Sequence, residues 1–387
     1  MIDSLDLIDD WGPEKIVCVS DVRSGMRGVL VIDNTARGTG KGGTRMSPTV
    51  SVSEVARLAR TMTWKWAAVD LFHGGAKAGI QGNPRSPGKE RILRAFARAL
   101  ANEVPREYVF GLDLGLSEGD AAILVDELGD RMASTGLPAA LGGLPYDELG
   151  VTGFGVAEAT AATAAAIGLD LAEATVAIQG FGAVGVAAAR RIAELGGRVT
   201  AVSTSVGAVM DAEGLDVARL IALQAQVGDR CVEEYGGSVD ADLLLAWSCT
   251  ILLPAAREDV IDEATARHLT ARLVVEGANL PTTEAGLLEL HRRGVTVVPD
   301  FIANAGGIIA AAHSTDARGS AFPVSSERVF TMVSDKMRAN AVAVVERARR
   351  DDVLTHDAAR AVAEERVREA MLARGRTWTP PARAGRR

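Results

Sequence analysis

Cysteine is scarce in this chain. Cys18, Cys231 and Cys249 stand far apart and form no CxxC pair. That excludes a disulfide framework and reads as free thiols in a reducing compartment. Basic residues are not in excess either: 42 Lys and Arg face 50 Asp and Glu, a net charge of −8. Nothing electrostatic then favours nucleic acid or an anionic membrane as a partner. Long apolar runs are missing, and the segment GGIIAAA at 306–312 is far too short to span a bilayer. The opening MIDSLDLIDDWGPEK is acidic and lacks the basic-then-apolar order of a secretion signal. A cytoplasmic location is the expectation. His73, His268, His291, His313 and His356 form no ligand cluster. Each reads as a surface or packing residue, and no metal is expected.

What is present is a globular composition, 48% apolar and 24% charged. A length of 387 residues suits two domains. The β-branched run RGVLVID at 27–33 predicts a strand. The glycine-dense RGTGKGGTR at 37–45 is expected to be irregular, and HGGAKAGI at 73–80 a glycine-rich turn. Between them Val55, Leu58, Ala59 and Met62 fall at helical spacing within 50–65, with Ser53 and Glu54 near the start. A second amphipathic helix is predicted over 88–103, a strand running into a loop at 108–115, and a helix over 117–128. The Gly- and Pro-rich loop STGLPAALGGLPYDELG follows. It marks a domain boundary, giving a first domain of 1–148 and a second of 149–325.

The second domain opens with an alanine-rich helix over 152–167. Then TVAIQGFGAVGVAAARRIAELGGRVTAVS, at 175–203, reads as strand, tight turn, helix and strand. This is one βαβ unit of a parallel sheet. Strands are predicted at 250–253, 272–276 and 295–298, and helix from about 308 to 372. The tail 373–387, with prolines and five arginines, is expected to be disordered.

Gly180, Gly182 and Gly185 make a GxGxxG directly after a predicted strand and at the start of a helix. The first glycine permits the turn, the second admits a pyrophosphate to the backbone, and the third lets helix and strand pack closely. The helix N-terminus then offers unpaired N–H groups to the phosphates. A bare GxGxxG also fits a tight βα turn that holds no ligand, but the flanking strand and helix favour dinucleotide binding. The second strand ends in Ser203-Thr204-Ser205, and no carboxylate follows until Asp211. Without an acid there, nothing repels a 2′-phosphate, and three donors are available to hold one. No arginine follows directly. NADP is therefore slightly favoured over NAD.

Lys41 in GTGKGGTR, Lys65 closing TMTWK and Lys77 in GGAKAG sit in unusual surroundings. Glycines offer no side chain to cover a lysine stem, and they let a ligand approach the backbone. These lysines also fit solvent-exposed turns. A phosphate loop is excluded because Gly, not Ser or Thr, follows Gly40-Lys41. Asp113, after the apolar run YVFGL, fits either a loop cap or a functional acid.

In order, KGGTR, MTWK, GGAKAGI, the Asp–x–Gly loop, the glycine fingerprint, EGAN and PDFIANAGG resemble the glutamate/leucine/phenylalanine/valine dehydrogenase family. The match runs from about residue 27 to residue 310. The resemblance implies an α/β fold of two domains: an N-terminal substrate and oligomerisation domain and a Rossmann-type dinucleotide domain, with a closing cleft between them. C-terminal helices, 326–372, would return to the first. It implies a homo-oligomer that reversibly deaminates an L-amino acid to a 2-oxo acid and ammonia with NAD or NADP. Lys77 matches the catalytic lysine and Asp113 its acid–base partner. Lys65 matches the holder of the α-carboxylate. Thr152, Asn279 and Asn304 match residues around the nicotinamide, with Ala183, Val184 and Ala255 along the dinucleotide and Gly75 beside the substrate.

The residue types suit that chemistry. Water must add and ammonia leave, so protons move several times. A lysine in a desolvated cleft has a lowered pKa and can act as base or acid. Lys41 is the choice of glutamate-specific relatives, yet Ala311 stands where they carry serine, and Gly111 is expected to leave further room. A dehydrogenase for an unusual amino acid is thus an alternative. So is a non-catalytic dinucleotide sensor of the same fold.

Overall fold

The computed structural model describes residues 4–144, 148–322 and 324–377. The chain forms two compact α/β units, one of residues 1–135 and 361–387, the other of 136–360.

In the first unit, β1 (Lys15–Asp21), β2 (Met26–Asn34), β3 (Gly40–Ser47), β4 (Gly74–Gln81) and β5 (Tyr108–Leu112) form a sheet ordered β1-β2-β4-β3-β5. β2 runs antiparallel to β1 and β4, whereas β3 is parallel to both β4 and β5. Helix α1 (Val52–Ala68) starts where the Ser51 side chain accepts the Glu54 N–H, and it buries Val55, Ala59 and Trp66. Helices α2 (Lys89–Ala99) and α3 (Glu118–Leu128) complete this part. Leu93 and Phe96 of α2 bury in a core with Leu30, Ile80 and Phe110 of the sheet.

Both glycine-dense segments expected to be irregular are strands in the middle of this sheet. Glycine weakens a strand through backbone entropy, but close approach demands it here. A Cβ on Gly42 would fall 1.8 Å from the Ala76 carbonyl oxygen, and one on Gly75 would fall 2.0 Å from Thr63 Oγ1 of α1. Bare backbone lets α1 lie flat on β4. A Cβ on Gly111 would meet the backbone of Gly42 and Gly43 at 3.3–3.5 Å. Any room at Gly111 is thus bounded on that side by β3.

The second unit begins with α4 (Val151–Ala166). Its sheet has the order β11-β10-β9-β6-β7-β8. The strands are β6 (Thr175–Gln179), β7 (Arg198–Ser203), β8 (Ala208–Met210), β9 (Ile251–Pro254), β10 (Leu273–Val275) and β11 (Thr296–Val298). All neighbouring pairs are parallel except β7 with β8. The apolar runs at β6, β9 and β10 bury fully, as strands covered on both faces require. Between them lie α5 (Ala183–Glu194), α6 (Val217–Val227), α7 (Cys231–Tyr235), α8 (Glu263–His268) and α9 (Glu284–Arg292).

The C-terminal part is α10 (Asp300–Ala303), α11 (Gly306–Ala317), α12 (Ser326–Asp351) and α13 (Thr355–Ala373). The helix expected from 308 to 372 is thus broken after Ala317 and again after Asp351. The boundary expected at 148 falls instead at 135/136, and 326–360 group with the second unit rather than the first. The reason is a charge cluster on α4. Buried Glu158 accepts from Arg191 of α5 at 2.7 Å, and from Ser334 and Arg338 of α12 at 2.8 and 2.7 Å. Phe330 of α12 meets Phe154 edge-on, with ring centroids 4.7 Å apart. Residues 361 onward join the first unit, where Arg366 donates to the carbonyls of Ala67 and Ala68, and Arg376 to Glu14. Of the tail expected to be disordered, 378–387 lie outside the described residues.

Candidate active site

The first unit gathers four charged side chains at its parallel strands. Lys77 lies mid-way along β4, opposite Val31 of β2. Asp113 immediately follows β5, whose Leu112 pairs with Thr44 of β3. Lys77 Nζ is 3.2 Å from Asp113 Oδ2, and Arg45 Nε donates to the same oxygen at 2.8 Å. Arg45 Nη1 also donates to Glu54 Oε1, in the first turn of α1, at 2.6 Å. Lys77 is 6% exposed. That burial drives its ammonium below the usual lysine range, against the pull of Asp113 and with help from the charge of Arg45. Burial pushes the Asp113 carboxyl up, but Lys77 and Arg45 outweigh it and hold Asp113 below its ordinary range. An ammonium whose hold on its proton is weakened, beside a fixed carboxylate, is suited to moving protons.

Lys41 is no loop residue. It pairs with Gly75 and Val109 within the sheet and is 2% exposed. Its Nζ lies 5.6 Å from the centroid of the Trp66 ring, within cation–π range, and the Trp66 indole N–H donates to the Lys41 carbonyl at 3.0 Å. The solvent-exposed turn considered for this lysine is thus replaced by a buried strand position. Lys65 is half-buried on α1.

The second unit holds the remaining candidates. Gly180 follows β6 at φ 97°, in the left-handed region that glycine favours, and α5 starts after Gly182. A Cβ on Gly185 would fall 1.9 Å from the Gly180 carbonyl oxygen, so helix and strand touch there as the fingerprint requires. A cavity of about 560 Å³ opens at these strand ends, lined by Gly180, Gly182, Ser203, Thr204, Asp229 and Ala255 among others. It lies where β7 and β9 diverge on either side of β6, the switch point at which doubly wound sheets take ligands. Gly277 brings Val184 and Ala255 together: a Cβ built on it would meet both within 3.4 Å. Asn304 Nδ2 donates to Asn279 Oδ1 at 2.9 Å. Asn304 Oδ1 is buried without a hydrogen-bond partner. Thr152, in the first turn of α4, stands beside Gly307, 3.1 Å from a Cβ built there. Ala311 is half-buried on α11.

These features fit a nicotinamide dinucleotide. A bare-backbone turn and helix N-terminus suit its pyrophosphate, and an acceptor left open at Asn304 suits a carboxamide N–H.

Sequence reasoning passed over three residues. Arg45 closes the KGGTR motif and Glu54 sits in a helical first turn, so both were visible but unassigned. Asp229 gave no signal, because it reaches the cavity at the glycine turn from a turn after α6, more than 20 residues beyond β7. Among the histidines, His356 is half-buried and paired. Its Nε2 lies 2.8 Å from Glu276 Oε2, and that same oxygen accepts the Asp300 N–H. The Asp300 carboxylate in turn accepts the N–H groups of Leu280 and Phe301. These carboxylates tie the turn after β10 to the start of α10.

Buried Lys77 against half-buried Asp113, and a doubly wound unit with a cavity at its glycine turn, are features that a nicotinamide-dependent dehydrogenase would need. Two family models match the sequence. Residues 142–375 match Glutamate/Leucine/Phenylalanine/Valine dehydrogenase, and residues 13–130 match the Glu/Leu/Phe/Val dehydrogenase dimerisation domain. Glutamate dehydrogenase A2 of Halobacterium salinarum is 38% identical over 314 residues, 77% of this chain and 75% of the relative. The chain also resembles the hetero-hexameric glutamate dehydrogenase of Thermus thermophilus in its leucine-bound form. That match has a TM-score of 0.77 and 32% identity, covering 95% of this chain and 91% of the other. Glutamate dehydrogenase of Peptoniphilus asaccharolyticus matches at a TM-score of 0.83 and 27% identity, with 97% and 95% covered. The chain belongs to the glutamate/leucine/phenylalanine/valine dehydrogenase family. It is an NAD(P)-dependent amino-acid dehydrogenase, an oxidoreductase acting on the CH–NH2 group of its substrate. Among the described residues, no helix is long and apolar enough to cross a membrane.

Proposed function

We propose that Lys77 and Asp113 are the proton carriers of this reaction. An L-amino acid, water and the oxidised dinucleotide give a 2-oxo acid, ammonia, the reduced dinucleotide and a proton. The nicotinamide, when bound, supplies the hydride acceptor. Neutral Lys77 takes a proton from the water that adds to the substrate iminium carbon. Asp113 takes and returns protons at the substrate nitrogen, so that it leaves as ammonia. Lys65 holds the α-carboxylate and so orients the Cα hydrogen. Gly180, Gly182, Ala183, Val184, Gly185 and Ala255 flank the pyrophosphate, and Thr152, Asn279 and Asn304 the carboxamide. The observation that carries this reading is the 3.2 Å contact between buried Lys77 and half-buried Asp113.

Self-association through the first unit belongs to the same reading, supported by its match to a dimerisation domain. So does a cytoplasmic location, supported by three free cysteines.

The substrate is an amino acid other than glutamate. What supports this is the sequence match alone: Lys41 is the choice of glutamate-specific relatives, but Ala311 stands where they carry serine, so the pattern is not theirs and a larger or differently polar side chain is the better candidate. The test is a panel of amino acids, with NAD and with NADP, followed by reduced-dinucleotide absorbance. Turnover of one or more amino acids is expected, with glutamate not the best. A tenfold lead for glutamate would overturn the substrate reading, and no turnover of any would favour a non-catalytic dinucleotide binder.

A further inference from the structure

The end of β7 lacks the acid that normally holds an adenosine ribose, but the folded chain supplies a carboxylate there from elsewhere. Asp229 lies in the short turn after α6 and lines the same cavity as Gly180, Gly182 and Ser203. Two hydrogen bonds clasp it to the strand end. The Thr204 hydroxyl donates to the Asp229 carbonyl at 2.8 Å, and the Ser205 hydroxyl donates to Asp229 Oδ2.

Those two bonds change what the Ser-Thr-Ser end can do. A hydroxyl has one proton to give. Thr204 and Ser205 have both given theirs to Asp229, so neither donates to a 2′-phosphate. Ser203 remains, and its oxygen accepts the Gly180 N–H at 3.3 Å. Charge points the same way. Among the described residues lining this cavity, Asp229, Asp240 and Asp242 stand against one cation, Arg257, which faces Asp242 at 3.6 Å. A phosphate dianion entering this set meets more repulsion than attraction, whereas a ribose diol finds a carboxylate oxygen to donate to.

We infer that Asp229 reads the adenosine ribose hydroxyls in place of the missing strand-end acid and makes the enzyme prefer NAD over NADP. This rests on the dehydrogenase reading of the cavity, and it reverses the lean towards NADP drawn from the acid-free Ser203-Thr204-Ser205 strand end.

The test is direct binding of NAD and of NADP, by titration calorimetry, to the full-length protein and to Asp229→Asn and Asp229→Ser. Asn keeps an acceptor for Ser205 and so spares the fold, while Ser removes the group altogether. The unmodified protein is expected to bind NAD at least tenfold tighter than NADP. Each variant should narrow that ratio at least tenfold, with NADP binding improving. Equal or tighter NADP binding by the unmodified protein, or an unchanged ratio in Asp229→Asn, overturns the inference. Failure to bind either dinucleotide would instead bring down the cavity's assignment itself. Because binding is read without an amino acid, the result does not depend on finding the substrate.

Discussion

Lys77 Nζ and Arg45 Nε converge on one oxygen, Asp113 Oδ2, at 3.2 and 2.8 Å. Two cations on one carboxylate keep Asp113 ionised, and the neighbouring guanidinium makes it harder for buried Lys77 to stay charged. In the proposed mechanism this puts the base and its acid–base partner within one contact of each other.

Removing either proton carrier should stop the chemistry and spare the cofactor. Lys77→Ala and Asp113→Asn are each expected to lower kcat by at least about 100-fold, the usual weight of a positioned general acid or base. Dinucleotide binding should stay close to normal. Near-normal turnover at saturating substrate in either variant would remove that residue from the mechanism.

Arg45 is a positioning residue, so its loss should appear in the pH profile. Its charge helps lower the Lys77 pKa, and its hydrogen bond holds Asp113. In Arg45→Gln, Lys77 keeps its proton to higher pH. The rise of kcat/KM with pH, which follows formation of neutral Lys77, should move to higher pH than in the unmodified enzyme. A profile that drops in height but does not move would leave Arg45 a purely structural role.

Lys41→Leu should change substrate ranking rather than abolish activity. The variant removes a buried cation packed on Trp66 and leaves an apolar lining. Relative kcat/KM should shift towards leucine, valine and phenylalanine. If the ranking across the amino-acid panel does not change, Lys41 lies outside the side-chain pocket.

His356 should make stability depend on pH. Burial disfavours its protonation, yet the hydrogen bond and charge of Glu276, with Asp300 and Asp357 nearby, raise its pKa above the ordinary value. A raised folded pKa means that the contribution is complete below about pH 6.5. It then fades as pH rises through the folded value. The Tm difference between the unmodified protein and His356→Gln should therefore be largest in mild acid and shrink towards alkaline pH. A difference that grows with pH would reverse the sign and refute the pairing.

The sequence by itself determined the parts of this protein that depend on local order. GxGxxG between an apolar strand and a helix identified the dinucleotide unit, because tight turn, phosphate approach and helix packing each need glycine at fixed spacing. The order of KGGTR, GGAKAGI and the Asp113 loop singled out Lys77 and Asp113 before any contact was known. Tertiary structure decided the rest. Glycine-dense β3 and β4 are strands because α1 and neighbouring backbones press against them, and no local propensity reports that pressure. Long helix α12 stays with the second unit because Glu158 reaches Arg338 across 180 residues. The ribose-end carboxylate was invisible for the same reason. Asp229 reaches Thr204 and Ser205 only through the fold, and a hydroxyl counted as a free donor in the sequence is already spent on it. Sequence spacing records which groups are available, but only the folded chain decides which of them have already found partners.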